Sequence, residues 1–120
     1  MPRILIVEDD LHLRRIVRLV LERADYEVVE AADGWAAIKK LDETLPDVAI
    51  IDIKMPLMNG LELVERMKED KRTASIPVIL LTGNRDAAAN RHNSIPVVLK
   101  PFEPAALLKT LSEALAKDCS

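Results

Sequence analysis

The chain has 120 residues, 49% of them hydrophobic and 31% charged, a balance that suits one compact domain over residues 1–120 and excludes a disordered polyelectrolyte. The 17 Lys and Arg against 20 Asp and Glu leave a net charge of −3, which argues against nucleic acid as the domain's own ligand. A lone cysteine, Cys119, rules out a disulfide framework or cysteine metal centre, and no apolar stretch approaches the ~18 residues of a membrane span, so a reduced, cytoplasmic protein is expected.

Aromatic side chains are confined to Tyr26, Trp35 and Phe102, so the core must be built from Leu, Ile, Val and Ala. Arg3 to Val7 (RILIV) is a buried-strand candidate that runs straight into three acids, Glu8, Asp9 and Asp10. Leu13, Ile16, Val17, Val20 and Leu21 then recur at helical spacing, with Arg14, Arg15, Arg18, Glu22 and Arg23 opposite and Asp10 placed to cap the first turn. Tyr26 to Glu30 is a short strand, and Asp33-Gly34 a turn. Trp35 to Leu45 is a helix closed off by Pro46, with Ala36, Ile38, Leu41 and Leu45 on its apolar side. Val48 to Ile51 is the most apolar strand. It stops on Asp52, because Pro56 lacks a donor and restricts Met55 before it.

Asn59-Gly60 supplies a turn and a helix start, and Leu61, Leu63, Val64 and Met67 define the helix to Asp70. Val78 to Leu81 is a fourth strand ending on Thr82-Gly83. Arg85 to His92 reads as a weak helix without an apolar stripe. Ile95 to Leu99 is a fifth strand, interrupted by Pro96 and followed by Lys100-Pro101-Phe102. Glu103 to Lys117 is the last helix, with Leu107, Leu108, Leu111, Ala114 and Leu115 inward. Strand–helix alternation of this kind predicts an α/β fold: a five-stranded parallel sheet, doubly wound, with a short or irregular fourth helix.

Parallel strands bring their carboxyl ends to one edge, where open α/β sheets hold ligands. Glu8, Asp9, Asp52, Thr82 and Lys100 all fall there. Carboxylates 4 Å apart repel by roughly 4 kcal/mol per pair at an effective dielectric of 20, so such a cluster either raises a pKa or holds a cation. Its all-oxygen donors suit a hard ion, Mg²⁺ or Mn²⁺. A divalent ion, a lysine and a hydroxyl around one carboxylate are equipment for phosphoryl transfer, with Asp52 as nucleophile.

Four segments, ILIVEDD (Ile4 to Asp10), DIKMPLMNG (Asp52 to Gly60), LLTG (Leu80 to Gly83) and LKPF (Leu99 to Phe102), resemble the receiver domains of bacterial two-component response regulators, including the single-domain chemotaxis type. The resemblance covers the whole chain and implies a flavodoxin-like sheet in the order 2-1-3-4-5. It implies that Asp52 is the phospho-acceptor, that Glu8 and Asp9 are the acidic pair, and that Asp9, Asp52 and the backbone carbonyl of Lys54 ligate Mg²⁺. Thr82 would be the switch hydroxyl, Lys100 the lysine that pairs with the phosphoryl group, and Gly83 the small residue that leaves the site open, with Lys54 and Asn84 flanking it. The implied donor is a phosphohistidine on a histidine kinase or histidine phosphotransfer protein, and the implied output is a downstream protein or output domain. Such a protein is a phospho-acceptor assisting its own transfer and dephosphorylation rather than an enzyme.

Two features depart from that family. The stretch from Thr82 to Lys100 is shorter than usual, and Val97 stands where an aromatic that rotates inward is general. A valine cannot make that movement, so the expected switch is an ordering of Gly83 to Ser94 on phosphorylation. The alternatives are a non-switching receiver-like interaction adaptor and an aspartyl-phosphate hydrolase on another α/β fold. Those hydrolases place a second aspartate two residues after the nucleophile, where this chain has Lys54.

Overall fold

A computed structural model of the chain describes residues 2–55, 57–83 and 95–118. Five parallel strands, β1 (Arg3–Val7), β2 (Glu27–Ala31), β3 (Val48–Asp52), β4 (Val78–Thr82) and β5 (Val97–Leu99), lie in the order β2-β1-β3-β4-β5. The described helices are α1 (Leu11–Arg23), α2 (Gly34–Glu43), α3 (Gly60–Glu69) and α4 (Pro104–Asp118). The weak helix expected at Arg85–His92, Asn84 and the segment expected to order on phosphorylation beyond Gly83 lie outside the described residues.

The period of two along each strand divides the core into two layers. Leu5, Val7, Ala49, Ile51, Val78 and Leu80 point to the face covered by α2 and α3. Ile4, Ile6, Val48, Ile50, Ile79 and Leu81 point to the face covered by α1 and α4. β1, β3 and β4 are therefore apolar at nearly every position, which is what a strand covered on both faces requires. In register, Val7 sits beside Ile51, Asp52 beside Leu81 and Thr82 beside Leu99. The residues just past those positions emerge together at one edge.

α1, α2 and α3 each open on a side-chain cap. Asp10 accepts from the amides of His12 (2.9 Å) and Leu13 (3.3 Å), as expected. Asp33, read from sequence as a turn residue, caps α2 through the Ala36 amide at 2.8 Å. Asn59 caps α3 through the Glu62 amide at 2.9 Å.

Ile16, expected inward, is exposed. The buried stripe of α1 is centred on Val17 and Leu21, and at 3.6 residues per turn Ile16 stands about 100° round from it. α2 ends at Glu43 rather than Leu45, and β5 begins only at Val97, after Pro96. Val97 is half-buried and packs against the α2–α3 layer.

Candidate functional site

Glu8 is the first residue beyond β1, Asp52 the last of β3, Thr82 the last of β4, and Lys100 the first beyond β5. Glu8, Asp52 and Thr82 are nearly closed to solvent, at 1%, 2% and 3% exposure, whereas Asp9 is exposed. The carboxylates of Glu8, Asp9 and Asp52 each place an oxygen within 4.8 Å of the others. The ammonium of Lys100 reaches into the same place, 3.2 Å from Asp52 Oδ2 and 3.3 and 3.4 Å from the two oxygens of Glu8. The sheet ladder holds it there: the Lys100 amide donates to the Thr82 carbonyl at 2.8 Å.

One lysine does not balance three carboxylates, and the imbalance falls on Glu8. Burial, then the hydrogen bond and charge of Asp52, push its carboxyl up to about 8, against a smaller opposing pull from Lys100. Burial also works against the charge on Lys100, but the fields of Asp52 and Glu8 outweigh it and hold the ammonium above its ordinary range.

Past Asp52 the chain turns sharply. The Lys54 amide donates to Asp52 Oδ1 at 3.3 Å, the Ile53 amide to the Leu81 carbonyl at 3.1 Å, and the Gly60 amide to the Ile53 carbonyl at 2.8 Å. The two Asp52 oxygens are therefore inequivalent: one faces Lys100, the other a backbone amide. A Cβ on Gly60 would lie 2.2 Å from the Asp52 carbonyl oxygen, so α3 can start this close to β3 only with glycine there. Leu57, in the same loop, takes φ 70 with its side chain 81% exposed. A Cβ on Gly83, by contrast, would meet none of the described residues within 4 Å.

The donor set fits a hard divalent ion. Octahedral ligands at ~2.1 Å lie about 3 to 4 Å apart, so the three carboxylates need only close slightly to share Mg²⁺ with water. The structure thus brings together Glu8, Asp9, Asp52 and Lys100, with Thr82 at the neighbouring strand end; the side chain of Asn84 lies outside the described residues.

Arg14 was missed by the sequence reading, which put it on the solvent side of α1. Its guanidinium donates to the Glu8 carbonyl at 2.7 Å and to Glu30 Oε1 at 2.8 Å. The readable signal was the pairing of Arg14 with Glu30, an acid near the end of the adjoining strand β2.

Residues 4–112 match the family described as the response regulator receiver domain. The chemotaxis protein CheY of Listeria monocytogenes is 31% identical over 117 residues, covering 95% of this chain and 98% of that protein. The phosphate regulon transcriptional regulatory protein PhoB of Escherichia coli is 31% identical over 96% of this chain but 52% of PhoB, so the chain spans about half the length of that relative. The structure of the chemotaxis protein CheY4 of Vibrio cholerae, 34% identical, superposes with a TM-score of 0.87 and covers 96% of this chain and 99% of that one. Matched along its length by the same family and built on the 2-1-3-4-5 sheet, the chain belongs to the response regulator receiver domains of two-component signalling.

Proposed function

We propose that this receiver accepts a phosphoryl group on Asp52 in the presence of Mg²⁺ and thereby changes its association with a downstream protein or output domain. The observation that carries the reading is the convergence on Asp52 of two further carboxylates and one ammonium at a single sheet edge. Glu8, Asp9 and Asp52, with the Lys54 carbonyl, would hold the ion, and Mn²⁺ could stand in for it. The metal would neutralise charge on the acids and on the incoming phosphoryl oxygens.

The remaining chemistry belongs to the chain. An Asp52 carboxylate oxygen attacks phosphorus in line, the phosphorus–nitrogen bond of a donor phosphohistidine breaks, and the imidazole leaves with the electron pair and takes a proton from solvent. Lys100, already on Asp52, is placed to follow the phosphoryl oxygens, and Thr82 at the adjoining strand end supplies the switch hydroxyl. No described residue would crowd a Cβ at Gly83, on the side from which a donor would approach. Water later attacks phosphorus, the carboxylate leaves, and phosphate and a proton are released. The donor is a histidine kinase or a histidine phosphotransfer protein; no helix among the described residues is long and apolar enough to cross a membrane, and we read the domain as acting in the cytoplasm. Val97 cannot swing as an aromatic does, so the output would be carried by the segment that follows Gly83.

Intact-mass spectrometry after incubation with a small acyl phosphate tests this. A gain of one phosphoryl group that requires Mg²⁺ and is lost in Asp52→Asn is expected. No gain under any condition would replace this reading with that of a non-switching interaction adaptor.

A further inference from the structure

Glu8 and Asp9 lie in a connection only three residues long between β1 and α1, and two of its carboxylates face a third on Asp52. Mutual repulsion drives such a loop to rotate its peptide planes until the acids point apart. The backbone of Glu8 is nevertheless tied on both sides. Its amide donates to the Ala31 carbonyl at 3.1 Å, and its carbonyl accepts from Arg14 at 2.7 Å. The carbonyl belongs to the peptide joining Glu8 to Asp9. Because that unit is planar, holding its oxygen sets the direction in which the chain enters Asp9 and limits the directions open to both side chains.

The clamp is itself held. Arg14 binds Glu30 at 2.8 Å through Nε while another nitrogen serves Glu8, a use of the planar guanidinium fork that an ammonium cannot copy. The second Glu30 oxygen pairs with Arg18, which also takes Glu22 at 3.2 Å. Arg14 is the more enclosed of the two arginines, 14% against 42% side-chain exposure. Burial opposes the charge on Glu30, but the two arginines outweigh it and hold the carboxyl below its ordinary range. Ala31 and Glu30 are neighbours at the end of β2, so a single strand end anchors both ties on Glu8.

The geometry points to Arg14 as a positioning residue for the acidic pair: by fixing the Glu8–Asp9 peptide it presents both carboxylates to a divalent cation shared with Asp52. This rests on the reading that these acids hold Mg²⁺. Arg18 is the internal control, since it shares Glu30 but does not touch Glu8.

The test compares the wild-type chain with Arg14→Met, Arg14→Lys and Arg18→Met. Mg²⁺ is titrated by calorimetry, and exchange of the Glu8 amide is followed by nuclear magnetic resonance without metal. Arg14→Met is expected to weaken Mg²⁺ binding about tenfold, as outer supports of metal ligands do, and to speed Glu8 amide exchange. Arg18→Met should change Mg²⁺ affinity less than about twofold. Arg14→Lys should fall between them, and is the variant to read should circular dichroism show Arg14→Met unfolded. Equal losses in Arg14→Met and Arg18→Met, or an Arg14→Lys affinity equal to wild type, would overturn the proposal. A wild-type chain that takes up no Mg²⁺ would sink the functional reading instead, and the metal-free exchange comparison would still decide whether Arg14 steadies the backbone at Glu8.

Discussion

The upward displacement of Glu8 gives the metal-free protein a pH dependence opposite to that of most carboxylates. A carboxyl at about 8 in the folded chain against 4.5 in the unfolded one binds its proton more tightly when folded. Between those values the folded state holds more protons than the unfolded state, so the contribution of Glu8 is fully present below pH 4.5 and is lost as the pH rises towards 8. At 1.36 kcal/mol per pKa unit the limit is about 5 kcal/mol, a large share of the roughly 5–15 kcal/mol that ordinary domains possess. The window is clear of the other displaced acids, since Glu30 and Asp70 are shifted the other way. Lys100, displaced upward from 10.5, stays charged throughout.

Urea unfolding at intervals from pH 5 to 8.5, in chelator, reads the effect directly. Glu8→Gln supplies the reference because it copies the protonated acid. Wild type should nearly match Glu8→Gln at pH 5 and fall behind it by a few kcal/mol at pH 8, with unchanged denaturant slopes. Millimolar Mg²⁺ should recover the difference in wild type, since on the proposed function the ion would bind the ionised carboxylate and stabilise by mass action, and should help Glu8→Gln less. Parallel wild-type and Glu8→Gln profiles in chelator would refute the account of a buried, uncompensated carboxyl.

Three further substitutions probe the frame around the site. Gly60→Ala forces a Cβ to 2.2 Å from the Asp52 carbonyl oxygen, a backbone atom that cannot swing aside, and should cost about 3 kcal/mol in urea unfolding and weaken Mg²⁺ uptake by displacing Asp52. Leu57→Gly should raise stability by up to about 1 kcal/mol, because Leu57 holds φ 70 and its exposed side chain gives little packing in return; a lower unfolding midpoint would contradict this. Thr73→Val removes a buried hydroxyl that donates to the Met67 carbonyl at 2.6 Å and closes the end of α3, and should lower stability by about 1–2 kcal/mol with phosphorylation unchanged.

The sheet and its charged edge were legible because they depend on strong local signals. β1, β3 and β4 are unbroken apolar runs, and each stops where the chain switches to Glu8, Asp52 or Thr82. Once strands alternate with helices, parallel pairing follows and strand ends must meet. What escaped depends on side-chain reach or on small rotations. Helical periodicity placed Val17 and Leu21 correctly but not Ile16, one residue and about 100° away. Arg14 sits at the margin of the same stripe, where the pattern says polar and cannot say whether a long side chain runs into solvent or back to a strand end. Trp35 offered no role from its position; it lies under the Arg66 guanidinium, 4.9 Å from the ring centroid, tying α2 to α3.

Charge explains why the acidic edge and its lysine belong to one device. With Glu8 ionised, Glu8, Asp9 and Asp52 face only Lys100 among the described residues, leaving two negative charges where a phosphoryl group with two of its own would have to arrive. Protonating Glu8 removes one of them without any ligand, which is the state the metal-free fold favours below about pH 8. A divalent cation held by these acids would offset both, would favour the ionised form of Glu8 and would leave Lys100 free to turn from the acids to the incoming anion. The contact between Lys100 and Glu8 at 3.3 Å is then a resting arrangement that metal binding would loosen, while the Thr82 carbonyl keeps the lysine backbone in register beside Asp52. Lys100→Met should therefore leave Mg²⁺ affinity equal to or above that of wild type, because it removes a competing cation, while slowing phosphoryl acceptance by an acyl phosphate about 10²-fold or more. Loss of Mg²⁺ binding in a folded Lys100→Met protein would show instead that the lysine holds the acids together, and would remove the competition on which this charge argument turns.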